Sequence, residues 1–294
     1  MFRLNLHFKE IFMTLSDFNN LDKETAKQHL FACCGSTKWA DVMMQHFPFY
    51  SEKQLVDGSA AIWYEQCHEV DWRESFTHHP KIGDVKSLTE KFAGKEQAGV
   101  AVATEEIIQA LAKANADYEK KFGFIFIVCA TGKSANEMLQ LLLDRLQNTV
   151  DEELHIAMGE QQKISIIRFK KLLTAANFDF LKVSQITTHV LDSAIGLPGK
   201  DISIRMQAMK NGAWQTIAQG ITNADGRIPD LLPQERILKP GTYKMVFDTG
   251  SYFRKQNLKT FYPAVEIIFN TFDEAHYHVP LLVNPFGYST YRGS

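Results

Sequence analysis

The sequence has 294 residues, 45% of them hydrophobic and 22% charged, with a formal net charge of −2. That is enough chain for one to two packed domains. The interspersed charge leaves no basic footprint for nucleic acid, and the longest apolar runs, such as Phe124 to Ala130, are far too short to span a bilayer.

Along the chain, Met1 to Phe12 carries scattered charges and no small-residue cleavage site, unlike a signal peptide; Met13 is a candidate start. A first helix is expected over Lys23 to Cys34. Four cysteines, Cys33, Cys34, Cys67 and Cys129, lie in the first half without metal-like spacing. Reduced thiols in a cytosolic protein, rather than a disulfide framework, are therefore expected. Thr104 to Tyr118 places Ile107, Ile108, Leu111, Ala112 and Tyr118 on one helical stripe, with Asn115 its polar member. Thr104 is the expected N-cap, and two glutamates follow in the first turn. Ser134 and Glu137 form a capping box opening Ser134 to Leu146. A longer helix is expected from Asp151 to Leu173, with Ile156, Ile164 and Ile167 inward. This half reads as all-α.

Composition changes near residue 175: Pro48 and Pro80 precede it, whereas seven prolines follow. Thr174 to Lys182 is the expected linker. Beyond it Ile202, Ile204 and Met206 alternate with polar residues, Asn211-Gly212 is a hairpin turn signal, and Trp214 to Thr222 returns. Asp225-Gly226 marks a turn. Further strands are expected at Gly241 to Phe247, Tyr262 to Phe269 and Tyr277 to Val283. Short strands at this spacing indicate a β-sandwich. The whole reads as multidomain, with an all-α domain over 13–173, a linker over 174–182 and an all-β domain over 183–294.

Several segments of the second half carry chemistry: Thr188-His189-Val190-Leu191-Asp192, Asp225-Gly226-Arg227-Ile228, His276-Tyr277-His278 and the ending Tyr291-Arg292-Gly293-Ser294. Taken singly, a strand histidine is usually structural and an arginine after a turn is usually a solvated charge. Together with Lys255-Gln256-Asn257-Leu258 and Phe261-Tyr262-Pro263, the segments resemble 5-hydroxyisourate hydrolase, the transthyretin-related enzyme of urate breakdown. The resemblance implies that His189 and His278 handle the attacking water and that Arg227 clamps the substrate anion, with Tyr291 and Ser294 completing the pocket. These are apt residue types, because imidazole exchanges protons near neutrality and guanidinium holds an oxyanion. His276 shares a strand face with His278 and is left out of the site.

In the first half the order is Phe76-Thr77-His78-His79-Pro80-Lys81-Ile82-Gly83-Asp84, then Lys95-Glu96-Gln97-Ala98-Gly99-Val100, then Phe122-Gly123-Phe124 and Val128 to Ser134. With Glu160-Gln161, Ile164 and Arg168, this order resembles the decarboxylase of 2-oxo-4-hydroxy-4-carboxy-5-ureidoimidazoline (OHCU). The resemblance implies His79 as the proton-handling group, Glu96 and Gln97 as partners of the ureido edge, and Arg168 as the anion clamp. His79 is preferred over His78 because the family histidine directly precedes proline. Ala93 stands where the family often has a serine.

The resulting expectation is a bifunctional enzyme converting 5-hydroxyisourate through OHCU to (S)-allantoin, without cofactor or metal. Small-molecule substrates, no nucleic acid, no membrane, a homo-oligomer (tetrameric by resemblance) and a cytoplasmic location complete it. The alternatives are an enzyme with one decayed half and a non-catalytic transthyretin-like carrier.

Overall fold

The structure, a computed structural model, describes residues 13–79, 105–130, 133–174, 178, 184–210, 212–234 and 236–293. Thr104, Asn211, Ala93, Glu96, Gln97, Ser294 and most of the linker lie outside them. By contacts the chain divides into two compact units, one of residues 1–78 with 161–181 and one of residues 79–160 with 182–294.

The first unit contains α1 (Leu15–Asn19), α2 (Lys23–Cys34), α3 (Thr37–Met44), α4 (Glu52–Ala61), which runs into a π-helical turn over Ile62–Gln66, and α5 (Glu69–Thr77). Side-chain oxygens cap four of these helices: Thr14 for α1, Asp22 for α2, Ser36 for α3 and Ser51 for α4. Gly35, at φ 85°, ends α2 in the left-handed conformation that glycine tolerates. The carbonyls at that end find side-chain donors rather than water. Ser75 Oγ donates to the Cys34 oxygen at 2.5 Å and Gln161 Nε2 to the same oxygen at 3.0 Å. Arg168 Nη1 donates to the oxygens of Ala32 and Cys33 at 3.3 and 3.1 Å. A cation and two donors thus meet the negative end of the helix dipole.

The long helix α8 (Val150–Leu172) contributes to both units, the division falling between Glu160 and Gln161. Ile156 is buried as expected, but Ile164 and Ile167 are only half-buried, while Ile166 and Phe169 are inside. The reason is that α8 is buried all round from Ile156 to Gln162, so no single stripe describes it.

In the second unit, α6 (Glu105–Phe122) buries Ile108, Leu111, Ala114 and Tyr118, close to the expected stripe. The Ser134–Glu137 capping box opens α7 (Ala135–Arg145). Between these helices and the start of α8 lies a buried ion pair. Arg145 Nε donates to Glu153 Oε1 at 2.7 Å and its Nη1 to the Ile127 oxygen at 2.9 Å, and the Tyr118 hydroxyl also donates to Glu153. Burial is the largest single influence and would make Arg145 easier to deprotonate, but Glu153, Tyr118 and Glu160 together outweigh it and hold the guanidinium protonated. Asn148 joins this network to the sandwich, donating to Glu153 Oε2 at 2.7 Å and to Gln219 Oε1 at 3.1 Å.

Among the described residues the sandwich has ten strands: β1 (Ile186–Thr187), β2 (Val190–Asp192), β3 (Leu197–Pro198), β4 (Ser203–Lys210), β5 (Ala213–Ile221), β6 (Gly241–Phe247), β7 (Val265–Thr271), β8 (Tyr277–His278), β9 (Leu281–Asn284) and β10 (Gly287–Thr290). One sheet has the order β5-β4-β6-β7 and the other β10-β9-β2-β3, with β1-β8 as a short extra pair. Alternation delivers the core: Ile202, Ile204 and Met206 are each 0% exposed and pack with Met245, Phe247 and Leu281.

The short strands β3 and β10 were not anticipated, nor was the helix α9 (Thr249–Lys255), capped by Asp248, whose carboxylate accepts from the Ser251 N–H at 2.9 Å. It explains why the strand expected from Tyr262 begins only at Val265. The oxygens of Tyr262 and Pro263 accept instead from Thr249 Oγ1 and the Gly250 N–H, both at 2.7 Å. Tyr252 on α9 donates to the buried Asp192 Oδ2 at 2.9 Å, tying the helix to β2, and burial pushes that phenol up to about 12.

The turn before Arg227 is equally constrained. Gly226 has φ 69°, its oxygen accepts from the Val190 N–H at 2.8 Å, and a Cβ there would lie 2.3 Å from the Val190 oxygen. Gly226→Ala is expected to destabilise the sandwich by at least about 1–2 kcal/mol from backbone conformation alone. Thermal unfolding of the full chain checks this; an unchanged melting temperature would refute it.

Candidate active sites

Two stretches, residues 186–192 and 277–284, run side by side in parallel. Thr187 pairs with His278 in β1-β8, and Val190 pairs with Leu281 in β2-β9, at the same offset. Between the paired parts the N–H groups of Val279 and Leu281 donate to the oxygens of Thr187 and His189, each at 2.9 Å. Thr188 Oγ1 adds a 2.7 Å hydrogen bond to the Val279 oxygen. On its other side His189 forms an isolated antiparallel bridge with Arg227, and His278 forms one with Gly293. Directly paired residues share a face, and so do residues two apart. Arg227, His189, Thr187, His278, His276 and Gly293 therefore all belong to one face.

The electrostatics agree. Burial, then the Arg227 charge, pushes His189 below its ordinary value of 6.5. His278 is pushed down in the same order of causes, with further contributions from His276 and His189. Both imidazoles are therefore biased towards the neutral form, which can accept a proton. The His276 and His278 rings stack at 6.4 Å, and the Thr187 hydroxyl lies 2.8 Å from His276 Nε2 and 2.9 Å from His278 Nδ1.

The C-terminal tail is anchored beside them. The Gly293 N–H donates to the His278 oxygen at 3.0 Å, and the Arg292 guanidinium sits 5.2 Å from the centre of the Tyr277 ring. A Cβ on Gly293 would stand 2.5 Å from His278 Cδ2. Tyr291, expected to line the pocket, is 58% exposed.

In the helical half, His78 follows α5 directly, and its ring meets Phe31 edge-on at 5.0 Å. His79 comes next and is half-buried. Arg168 stands on α8 with Nη1 committed to the α2 carbonyls, and Glu160 Oε2 accepts from the Cys129 N–H at 2.7 Å. Among the described residues no group of His, Cys, Asp and Glu is arranged to hold a metal.

Comparison with known proteins agrees with both halves. Residues 19–170 match the OHCU decarboxylase family and residues 186–293 the HIUase/Transthyretin family. The uric acid degradation bifunctional protein TTL of Arabidopsis thaliana is 33% identical over 89% of this chain and 96% of its own. The chain belongs to the family of OHCU decarboxylases fused to a HIUase/transthyretin segment. The 5-hydroxyisourate hydrolase of Mus musculus is 45% identical over 38% of this chain and 96% of its own. A solved (S)-allantoin synthase structure aligns with 96% of this chain and 100% of its own at 24% identity, with a TM-score of 0.44.

Within this family frame, three residues were missed as site components by sequence reasoning. Thr187 was passed over in favour of the adjoining histidine motif, although its place two residues before His189 already put it on the same strand face. Gly293 and Arg292 were noted only as part of a tail motif. Their contacts with His278 and Tyr277 need the tail's pairing partner, which spacing along the chain does not supply.

Two expectations follow for the HIUase-like segment. Gly293→Ala must displace the His278 ring, and a misplacement of about 1 Å can cost ~100-fold in rate. Ring opening should fall steeply while the melting temperature changes little, as steady-state kinetics beside thermal unfolding would reveal. The pH profile offers the second. Because both histidines lie below 6.5 when folded, their neutral forms persist below that pH and the acid limb of kcat/KM should fall under 6.5. Arg227→Gln removes a charge that lowers both, so the residual activity should show its acid limb shifted upward; an unshifted limb would contradict this account.

Proposed function

We propose that the chain catalyses two successive steps, hydrolysis of 5-hydroxyisourate to OHCU and decarboxylation of OHCU to (S)-allantoin. The observation that carries the first step is the single face holding His189, Arg227 and His278 beside Gly293. Ring opening requires water to attack an amide-like carbonyl. A neutral histidine takes the water proton while Arg227, with its planar fork, holds the developing oxyanion. Between the two histidines, the roles of base and of acid to the leaving nitrogen are divided. Tyr291 and Ser294 are the tail residues assigned to complete this pocket.

For the second step, His79 is the proton-handling group, Glu96 and Gln97 bind the ureido edge, and Arg168 holds the carboxylate. The electron pair left by CO2 runs into the ring C=N system, and a proton is then delivered to one face of the carbon. The edge-on packing of His78 against Phe31 supports assigning this role to His79. The anchoring of Arg168 Nη1 on two helix carbonyls supports a guanidinium held in a fixed orientation.

The catalytic segments are read as 13–173 and 183–294, joined by a linker over 174–182. Exposed aromatic and aliphatic side chains on the sandwich, among them Phe261 at 70%, Phe286 at 72% and Ile268 at 59%, support association into a homo-oligomer. The four cysteines are buried thiols, which supports a reducing, cytoplasmic compartment. Among the described residues no helix is long and apolar enough to cross a membrane.

Freshly generated 5-hydroxyisourate, followed by absorbance and circular dichroism, tests the reading. The wild-type chain should yield optically active allantoin. His278→Ala should slow the first step by about 100-fold or more with the second intact, and His79→Ala the reverse. Loss of both steps in either variant would break the assignment of one site to each half.

A further inference from the structure

The Thr187 hydroxyl stands between two imidazoles, 2.9 Å from His278 Nδ1 and 2.8 Å from His276 Nε2. A hydroxyl has one proton to give, so it can donate to one ring only and must accept from the other. If it donates to His276, then His278 carries its proton on Nδ1 and presents a bare Nε2. If it donates to His278, the Nε2 of that ring carries the proton instead. The hydroxyl therefore couples the tautomers of two histidines of which one, His278, is half-buried and the other, His276, is exposed.

Backbone pairing fixes this geometry. Thr187 is the direct partner of His278 in the β1-β8 pair, and the Val279 N–H donates to the Thr187 oxygen at 2.9 Å. His276 lies two residues before His278 and so on the same face, with the two rings nearly parallel at 19°.

We infer that Thr187 is a positioning residue that sets the tautomer of His278 and, with His276, forms a proton path from the hydrolytic site to solvent. The inference rests on the hydrolase reading above. In the step it describes, the attacking water loses a proton to His278 Nε2 as the bond from oxygen to the carbonyl carbon forms. The His278 Nδ1 proton passes to Thr187 Oγ1, and the Thr187 proton passes to His276 Nε2. His276 then releases a proton from Nδ1 to water. Each proton gained is matched by one lost, and His278 returns to neutrality as its Nε2–H tautomer; loss of that proton to water, with the relay run in reverse, restores the bare Nε2 for the next turnover.

The groups facing this relay are few among the described residues. Arg227 and His189 act on His278 from the neighbouring segments, His276 acts from its own strand, Asp225 acts on His189, and Arg292 of the tail lies over Tyr277. Among the described residues no carboxylate replaces Thr187 between the two rings: Asp273 accepts instead from the Tyr277 hydroxyl and the Ala275 N–H, each at 2.9 Å.

The test uses the full chain and 5-hydroxyisourate. Thr187→Val keeps the branched shape that suits a strand and removes only the hydroxyl. It should lower kcat by at least about tenfold at little cost in KM and displace the acid limb of the pH profile. Thr187→Ser should restore most of the rate. His276→Ala, at an exposed position where folding is not at stake, should be slow in weak buffer and recover on addition of imidazole. Wild-type kcat and an unmoved pH profile in Thr187→Val would overturn the inference, as would a Thr187→Ser variant as slow as the valine one or an imidazole-insensitive His276→Ala at full rate. A wild-type chain that does not open the ring would instead overturn the hydrolase reading itself.

Discussion

The face that carries His189, Arg227 and His278 depends on one parallel pairing. Two stretches pair with an unchanged offset, Thr187 to His278 and Val190 to Leu281, and the N–H groups of Val279 and Leu281 donate to the oxygens of Thr187 and His189 between them. A strand presents its backbone to alternate edges, so with His189 committed to this pair the Val190 N–H turns to the other edge and donates to the Gly226 oxygen. There His189 stands opposite Arg227, beside a turn whose close approach to Val190 only glycine permits. Strand pairing and glycine together place a guanidinium next to an imidazole without requiring either side chain to seek the other.

The helical half depends on a different constraint, the unsatisfied carbonyls at a helix end. Ala32, Cys33 and Cys34 are met by Arg168, Gln161 and Ser75. The residue wanted as an anion clamp is thereby held by a helix terminus whose partial negative charge favours a cation. Burial makes Arg168 somewhat easier to deprotonate than a free arginine, and the carbonyl contacts are the compensation for that desolvation. The cysteines beside it are correspondingly inert as nucleophiles. Burial pushes the Cys33 thiol up to about 12, so these thiols serve as small apolar fillers.

How much of this was legible in the sequence follows from the range of the interactions. Helix α6, the capping box at Ser134 and the alternation of Ile204 and Met206 depend on neighbours three or four residues apart, or two apart, and they read correctly. The histidines and Arg227 stand in local motifs and were singled out on that ground, and the pairing puts them on one face. Thr187 was not, because its partner is 91 residues away in number and the pairing is parallel, which no hairpin signal announces. Helix α9 was hidden by its length and by lying between two true strands, although Asp248 before Ser251 is a cap in outline. The inward face of α8 failed for a stronger reason. A helix buried on every side has no amphipathic period to read, and its buried Glu153, Glu160 and Gln161 are explained only by partners on other elements.

The same reasoning turns the tail motif from a signature into a requirement. Tyr277 and His278 are successive residues of a strand and face opposite ways. Arg292 and Gly293, running antiparallel beside them, do the same. Arginine falls on the side of Tyr277, where its guanidinium can lie over a buried ring, and glycine falls on the side of His278, where any Cβ would strike the imidazole. Reversing the two would put a long cation against the His278 ring and leave the aromatic face uncovered. In the antiparallel register Gly293 stands opposite His278 and Arg292 opposite Val279, so the arginine reaches Tyr277 diagonally along the face the two share. The tail restrains His278 from the side opposite Thr187, so the imidazole is held between a hydroxyl that sets its proton and a glycine that leaves it no room to swing.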